Sequence, residues 1–417
     1  MSGEPTADEA RAESVLAELA SFGSDDVRWR EGRVFSLAYF AGANVERLAD
    51  RALAMYASTN GLNADAFPSL RRIQSDVVST VLGWLGAPDG AAGFMTSGGT
   101  ESILLATKGA RELARRERGV ARPNVVLPAS AHAAFEKACH YFGLESRRTP
   151  VAADWRADVD AMSAAVDDDT VLLVASAPQY PQGVVDPVAE VAALAAERGL
   201  PCHVDACMGG VTLHFMELSG EPVRPWNFSV PGVTSMSVDL HKFGYSAKGA
   251  SVIAYRTKAL RAHQTFVTDN WLGGLYGSSG ILGTKSGGPM AAAWAVTRYL
   301  GDDGYVDLTR RARDAALRLA HGLGAVPGIV VSAPPDATLV SFRLAGDADP
   351  TGLADALWRE GWYVDRQGPP PSLHCTVNAA HAGTVDEFVA TVARLVESAE
   401  NSSTGRGSAP SAYGTID

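Results

Sequence analysis

The chain has 417 residues, a hydrophobic fraction of 46% and a formal net charge of −11, from 36 Lys plus Arg against 47 Asp plus Glu. An acidic surface of that size repels nucleic-acid phosphate and anionic lipid, which excludes both as main partners. Four cysteines (Cys139, Cys202, Cys207 and Cys375) without a C-x-x-C pair exclude a disulfide framework and argue against a metal site.

A prior of about 150 residues per domain suggests two or three domains. The polar, acidic start MSGEPTADEARAES does not read as a signal peptide. No apolar run approaches the roughly 18 residues of a membrane span, so the expectation is a cytoplasmic enzyme.

In chain order, apolar spacing predicts helices over 7–22 and 45–58, separated by the aromatic stretch WREGRVFSLAYF, and a third over 67–85 with Pro68 near its start. From Ala92 to Tyr255, short apolar runs alternate with helical patterns. Strands are expected at 124–127, 171–175, 202–205, 234–238 and 251–255, and helices at 100–118, 131–142, 156–166 and 187–198. That alternation argues for an α/β fold with a mostly parallel sheet covered on both faces. The glycine-rich, aromatic stretch 266–288 suggests backbone that closely approaches a ligand or partner. A long helical region (289–323) follows, then strands of a smaller sheet within 328–344, 362–364 and 373–377, and a closing helix at 386–398. The Ser/Gly/Pro-rich tail 401–417 should be disordered, and no internal repeat is present.

Three motifs carry chemistry. Thr96-Ser97-Gly98-Gly99-Thr100-Glu101-Ser102 opens a helix, where bare N–H groups and the helix dipole suit a phosphate. Its plain alternative is a capped glycine turn. In His203-Val204-Asp205-Ala206 the carboxylate of Asp205 ends a buried strand, where open α/β sheets place their ligands; a turn-capping Asp is the alternative. Lys242, in Ser237-Val238-Asp239-Leu240-His241-Lys242-Phe243-Gly244, follows an apolar strand, and a partly desolvated amine forms an imine with an aldehyde. Alone it would read as a solvated loop lysine. Cradle, Asp and Lys in that order are what pyridoxal phosphate requires: a phosphate site, a partner for the pyridine nitrogen and a Schiff-base amine. His132, at a strand-to-helix turn between cradle and Asp, is placed to stack on the ring, or else is a polar residue at a helix start.

These stretches, with SAHAAFEKACHYFG, SAPQYPQGVVDPVAEVAALA, DNWLGGLYGS and PPPSLHCTV, resemble the pyridoxal-phosphate-dependent group II decarboxylases of fold type I, in the aspartate aminotransferase superfamily, and more closely the sphingosine-1-phosphate lyases. The resemblance runs from about Trp29 to about Ser398. It implies a large domain with a mixed, mostly parallel seven-stranded sheet and a small C-terminal α+β domain. The implied division is an N-terminal helical segment (1–60) contributing to dimer and active site, a cofactor domain (61–300) and a small domain (301–400).

By resemblance, Lys242 is the Schiff-base lysine, Asp205 the pyridine partner and His132 the stacking residue, while Gly99, Thr100 and His241 contact phosphate. Gly283 and Thr284 match a loop reaching the cofactor phosphate of a second subunit, which implies a homodimer with shared sites. Tyr39 and Lys248 match residues at the substrate end of the pocket, and Asn60 matches a family asparagine. A packed aromatic and a surface lysine are the plain alternatives for Tyr39 and Lys248.

Departures from the lyases are Asn63 and Gln182 in place of histidines, Lys285 and Ser286 in place of Arg and Pro, and Arg366 in place of an uncharged residue. Arg366 is either a carboxylate binder or a surface arginine. The leading expectation is a carbon–carbon lyase of the retro-aldol type acting on a phosphorylated long-chain or other β-hydroxyamine, with Tyr39 and Lys248 in proton transfer and anion binding. An L-amino-acid decarboxylase (a carboxy-lyase) is the alternative, with aminotransferase or aldolase chemistry as minor variants. A catalytically silent homologue is a third reading, disfavoured by the retained Lys242, Asp205, His132 and cradle.

Overall fold

The computed structural model describes residues 6–63, 65–346 and 348–400, so the tail expected to be disordered lies outside the described residues. The central sheet contains β1 (Ala92–Thr96), β2 (Asn124–Pro128), β3 (Glu145–Thr149), β4 (Thr170–Ser176), β5 (Cys202–Asp205), β6 (Val233–Asp239) and β7 (Ser251–Tyr255). Their spatial order is β1-β7-β6-β5-β4-β2-β3. The strands from β6 to β3 are parallel, and β7 runs antiparallel to both its neighbours.

The apolar run in β4 is buried at every position, as a strand covered on both faces requires. Alternate residues serve opposite layers. Leu173 and Ala175 join a core with Val191 and Val211 from the helices Val188–Glu197 and Gly209–Leu218. Leu172 and Val174 pack with Ile103 and Phe135 from the helices Gly99–Arg118 and Ala134–Phe142. Each such fully buried Leu, Val, Ile or Phe side chain contributes about 1.5–3 kcal/mol.

Periodicity missed β1 and β3 because both are edge strands, and the β3 sequence ESRRT is polar and half-exposed. The helix expected from 131 starts at Ala134, because the Ala134 N–H donates to His132 Nδ1 (3.1 Å) and keeps the preceding residues in a turn. In the glycine-rich stretch lie two short paired strands, β8 (Phe266–Thr268) and β9 (Tyr276–Ser278). The long helix Gly288–Gly324 is interrupted at Gly301, whose φ of 54° is left-handed.

The smaller sheet contains β10 (Ile329–Val331), β11 (Leu339–Leu344), β12 (Asp365–Gln367) and β13 (Ser372–Thr376), antiparallel in the order β10-β11-β13-β12. The strand expected at 362–364 begins instead at Asp365, because Trp362 is drawn into the core beside Phe35 and Phe388. The Phe35 N–H donates to the Tyr363 carbonyl (2.9 Å), so the N-terminal segment is stitched to the small sheet before it turns toward the cofactor edge.

Candidate active site

β1, β4, β5 and β6 all end at the same edge of the sheet, and Thr96, Ser176, Asp205 and Asp239 are their last residues. Open α/β sheets bind ligands outside such an edge. Here a cavity of about 230 Å³ is lined by Gly98, Gly99, Thr100, His132, Ser176, Tyr180, Asp205, Cys207, Asp239, His241 and Lys242, among others.

The helix Gly99–Arg118 begins against this cavity with no side chain capping it. Glu101 instead turns back on the loop, accepting from the Ser97 N–H and hydroxyl, both at 2.7 Å. The first turn is left to present its N–H groups and positive dipole end to an anion. Gly99 is sterically required: a Cβ there would lie 2.7 Å from Cys207 Sγ and 2.8 Å from Asp239 Oδ2.

Lys242 Nζ lies 2.9 Å from Asp239 Oδ2, and both are turned away from bulk water, the Asp239 side chain at 1% exposure. Burial alone would raise Asp239, but the charges of Lys242 and His241 and the Ser251 hydroxyl, donating at 2.6 Å, bring it below the usual carboxylate range. Asp205 Oδ1 accepts from the Ser237 hydroxyl (3.0 Å) and the Cys207 N–H (3.1 Å). Burial lowers His132 below the usual histidine range, only partly offset by Asp205, so its ring is neutral at neutral pH. His132 Nδ1 accepts from Ala134, which leaves Nε2 as the protonated nitrogen. His241 is likewise lowered by burial; its Nδ1 accepts from the Ala250 N–H, and its Nε2 sits 3.8 Å from Asp239.

A second cavity, about 400 Å³, shares His241 with the first and is lined by Tyr39, Trp29, Phe40, Tyr245 and Lys248, among others. Lys248 Nζ donates to the carbonyls of Leu37 (2.9 Å) and His241 (3.2 Å) and lies 4.8 Å from the centre of the Tyr39 ring. Lys248 is exposed at the rim of this cavity; crowding of its ammonium against these carbonyls, and then the charge of Lys242, push it down to about 8. Tyr39 packs edge-on to Phe243, with its hydroxyl 3.9 Å from Met208 Sδ.

Gly99, Thr100, His132, Asp205, His241 and Lys242 therefore share one cavity, while Tyr39 and Lys248 meet in the next. Asn60, Asn63, Gly283 and Thr284 line neither. Asn60 Nδ2 donates to Thr284 Oγ1 (3.4 Å), and Asn63 Oδ1 accepts from the Asp65 N–H in a local turn (2.9 Å). Gln182 is buried in a closed ring of hydrogen bonds with Gln179. Arg366 pairs with Asp355 and borders a third cavity, reached past His132 and Tyr180, that also contains Asp365.

Asp239 and Tyr180 also line the first cavity, although no sequence motif assigns them a role. Asp239 stands three residues before Lys242, so a carboxylate at the end of the same buried strand was the available signal. Tyr180, which donates to Asp365 on the small sheet, gave none, because its partner lies 185 residues away.

The profile of the pyridoxal-dependent decarboxylase conserved domain matches residues 16–345. The chain belongs to this family. It is 37% identical to sphingosine-1-phosphate lyase of Arabidopsis thaliana, over 92% of this chain and 72% of the plant protein. It is 39% identical to sphingosine-1-phosphate lyase 1 of Rattus norvegicus, over 88% of this chain and 64% of the rat protein. The solved sphingosine-1-phosphate lyase of Burkholderia pseudomallei superposes with a TM-score of 0.89 at 36% identity, covering 96% of this chain and 92% of that one. Glutamate decarboxylase of Lactobacillus brevis shares the fold, with a TM-score of 0.80 at 20% identity.

The chain is a pyridoxal-phosphate-dependent lyase of fold type I, similar to the sphingosine-1-phosphate lyases. Its residues fit the cofactor: a cradle that a single Cβ would fill, a carboxylate and an amine all face one cavity. No helix among the described residues is long and apolar enough to cross a membrane.

Proposed function

We propose that this lyase cleaves the Cα–Cβ bond of a phosphorylated β-hydroxyamine, releasing an aldehyde and a phosphorylated amine. The observation carrying this reading is the second cavity, where Lys248 and Tyr39 face each other beside His241. A retro-aldol cleavage needs a group that takes the proton of a β-hydroxyl, and an amine lowered to about 8 retains a neutral fraction at neutral pH.

Bound pyridoxal phosphate supplies an aldehyde that captures amines and a protonated ring that accepts the electrons of the breaking bond. The first turn of Gly99–Arg118, with Thr100 and His241, would hold its phosphate. Asp205 would keep its ring nitrogen protonated, His132 would cover its ring face, and Lys242 would join its aldehyde. Asp239, 2.9 Å from Lys242 Nζ, would fix that amine at the edge of the cofactor cavity. Lys248, held by two carbonyls, accepts the hydroxyl proton in its neutral form.

The working unit is a cytoplasmic homodimer. The helix Ala7–Ser21 buries no residue and exposes Val15, Leu16 and Leu19, with Phe22 just beyond; Trp271, Leu272 and Leu275 are exposed on the loop between β8 and β9. A second copy would cover such surface and bring Gly283 and Thr284 to a neighbouring cradle. The four cysteines are buried, unlinked thiols, which suits a reducing compartment.

An amino-acid decarboxylase would use Arg366 as its carboxylate anchor. That guanidinium pairs with Asp355 through one terminal nitrogen, while its buried Nε has no hydrogen-bond partner; Asp365 in the same cavity opposes a substrate carboxylate, which favours the lyase. The test is incubation with a phosphorylated β-hydroxyamine and, separately, with a panel of L-amino acids. Aldehyde release from the first supports the reading; carbon dioxide from the panel with no aldehyde overturns it. Borohydride reduction of the holoprotein should fix the cofactor on Lys242 by mass spectrometry, and a label on another lysine would refute that assignment.

A further inference from the structure

Behind Asp205, four polar side chains line up on one face of two neighbouring strands. His203 and Asp205 are two apart on β5, Ser235 and Ser237 are two apart on β6, and the register pairs His203 with Ser235 and Asp205 with Ser237. His203 and Ser237 are fully buried, Ser235 is 4% exposed and Asp205 8% exposed. Polar groups at that depth are costly unless each finds a partner. Here they find one another: Ser237 Oγ lies 3.0 Å from Asp205 Oδ1 and 3.3 Å from His203 Nε2, and His203 Nδ1 lies 2.9 Å from Ser235 Oγ. Phe135 covers the imidazole edge-on, with ring centroids 5.9 Å apart.

Proton counting fixes the direction of this row. Burial pushes His203 down to about 4, so at neutral pH its ring is uncharged and carries one N–H. An ionised carboxylate only accepts, so the single hydroxyl proton of Ser237 goes to Asp205. Ser237 then has only lone pairs to offer His203, which must donate from Nε2. His203 Nδ1 is left an acceptor, and Ser235 donates to it. Every dipole in the row points its positive end toward the carboxylate.

We propose that Ser235, His203 and Ser237 form a directed hydrogen-bond chain that orients the Asp205 carboxylate, and thereby sets how firmly the cofactor's ring nitrogen keeps its proton. Ser237 and the Cys207 N–H both bind Oδ1, which reserves Oδ2 for the ring nitrogen. Ser237 and His203 are positioning residues acting through Asp205, and the proposal rests on Asp205 being the ring-nitrogen partner.

The experiment uses holoprotein reconstituted with pyridoxal phosphate isotope-labelled at its ring nitrogen, whose magnetic resonance reports the protonation of that atom. Variants are Ser237→Ala, His203→Phe and, as a reference, Asp205→Asn. Losing a hydrogen bond to a charged acceptor should lower kcat about tenfold in Ser237→Ala. The nitrogen resonance should move toward the unprotonated position in Ser237→Ala, and by a smaller step in the same direction in His203→Phe. Should His203→Phe fail to fold, Ser235→Ala removes the terminal donor and carries the same expectation. A resonance that moves in Asp205→Asn but stays in place in Ser237→Ala and His203→Phe overturns the chain and leaves Asp205 standing. A resonance unmoved in Asp205→Asn overturns the assignment of Asp205 itself, and the chain with it.

Discussion

Replacing Gly99 with alanine probes the cradle at its tightest point. The added Cβ would sit 2.7 Å from Cys207 Sγ and 2.8 and 3.1 Å from the two Asp239 oxygens. Ordinary heavy-atom contacts lie at about 3.5–4.0 Å, so something must retreat by most of an ångström. Asp239 is tied to Lys242 at 2.9 Å and to Ser251 at 2.6 Å and cannot swing aside without breaking both contacts. Overpacking of this kind costs about 1–3 kcal/mol. In cofactor-free protein the displaced groups can lean into the 230 Å³ cavity, whereas bound cofactor closes that escape, so the strain falls on binding. At 1.4 kcal/mol per decade, the dissociation constant for pyridoxal phosphate should rise roughly 5- to 150-fold. Gly98 is the internal control. Its φ of 170° is extended, and a Cβ would meet only His241 Cε1, at 3.5 Å. Titration of each apoprotein with the cofactor, followed by absorbance, gives the two constants. The reasoning fails if Gly99→Ala binds within about twofold of the parent, or if Gly98→Ala is equally damaging.

The lowering of Lys248 to about 8 carries a sign: its neutral form grows as pH rises through that value, so kcat/KM should climb there, and Lys248→Gln should flatten the climb along with most of the activity. A parent profile flat across that range would rule Lys248 out as the base. Because Arg366 is a part-exposed partner of Asp355, Arg366→Ala should leave aldehyde release within about threefold of the parent; a loss of two orders of magnitude would place it on the substrate. Leu16→Glu with Leu19→Glu should shift the protein toward monomer in analytical ultracentrifugation and leave the far-ultraviolet spectrum intact, since neither side chain is buried in the single chain; an unchanged sedimentation coefficient would move the interface elsewhere. Phe35→Ala should destabilise the small sheet by about 3–5 kcal/mol in denaturant unfolding, because that ring is fully buried against Trp362 and Phe388.

Residues whose partners are near in sequence were legible without coordinates. The apolar run of β4 marked a strand covered on both faces, because such burial leaves no polar alternation. Glycine at a helix start, Asp205 at a strand end and Lys242 just past another declared a cofactor site, because a phosphate, a ring nitrogen and an aldehyde each demand one residue type. The edge strands β1 and β3 stayed hidden, since an edge half open to water tolerates ESRRT as readily as an apolar run. Tertiary structure alone decided the rest: that Lys248 leans over Tyr39, that Arg366 pairs with Asp355, and that His203 reaches Asp205 through a serine on the next strand. Each of these depends on a strand register, a side-chain direction or a turn of the backbone, and those are set by the packing of the whole sheet against its helices and not by any short run of residues.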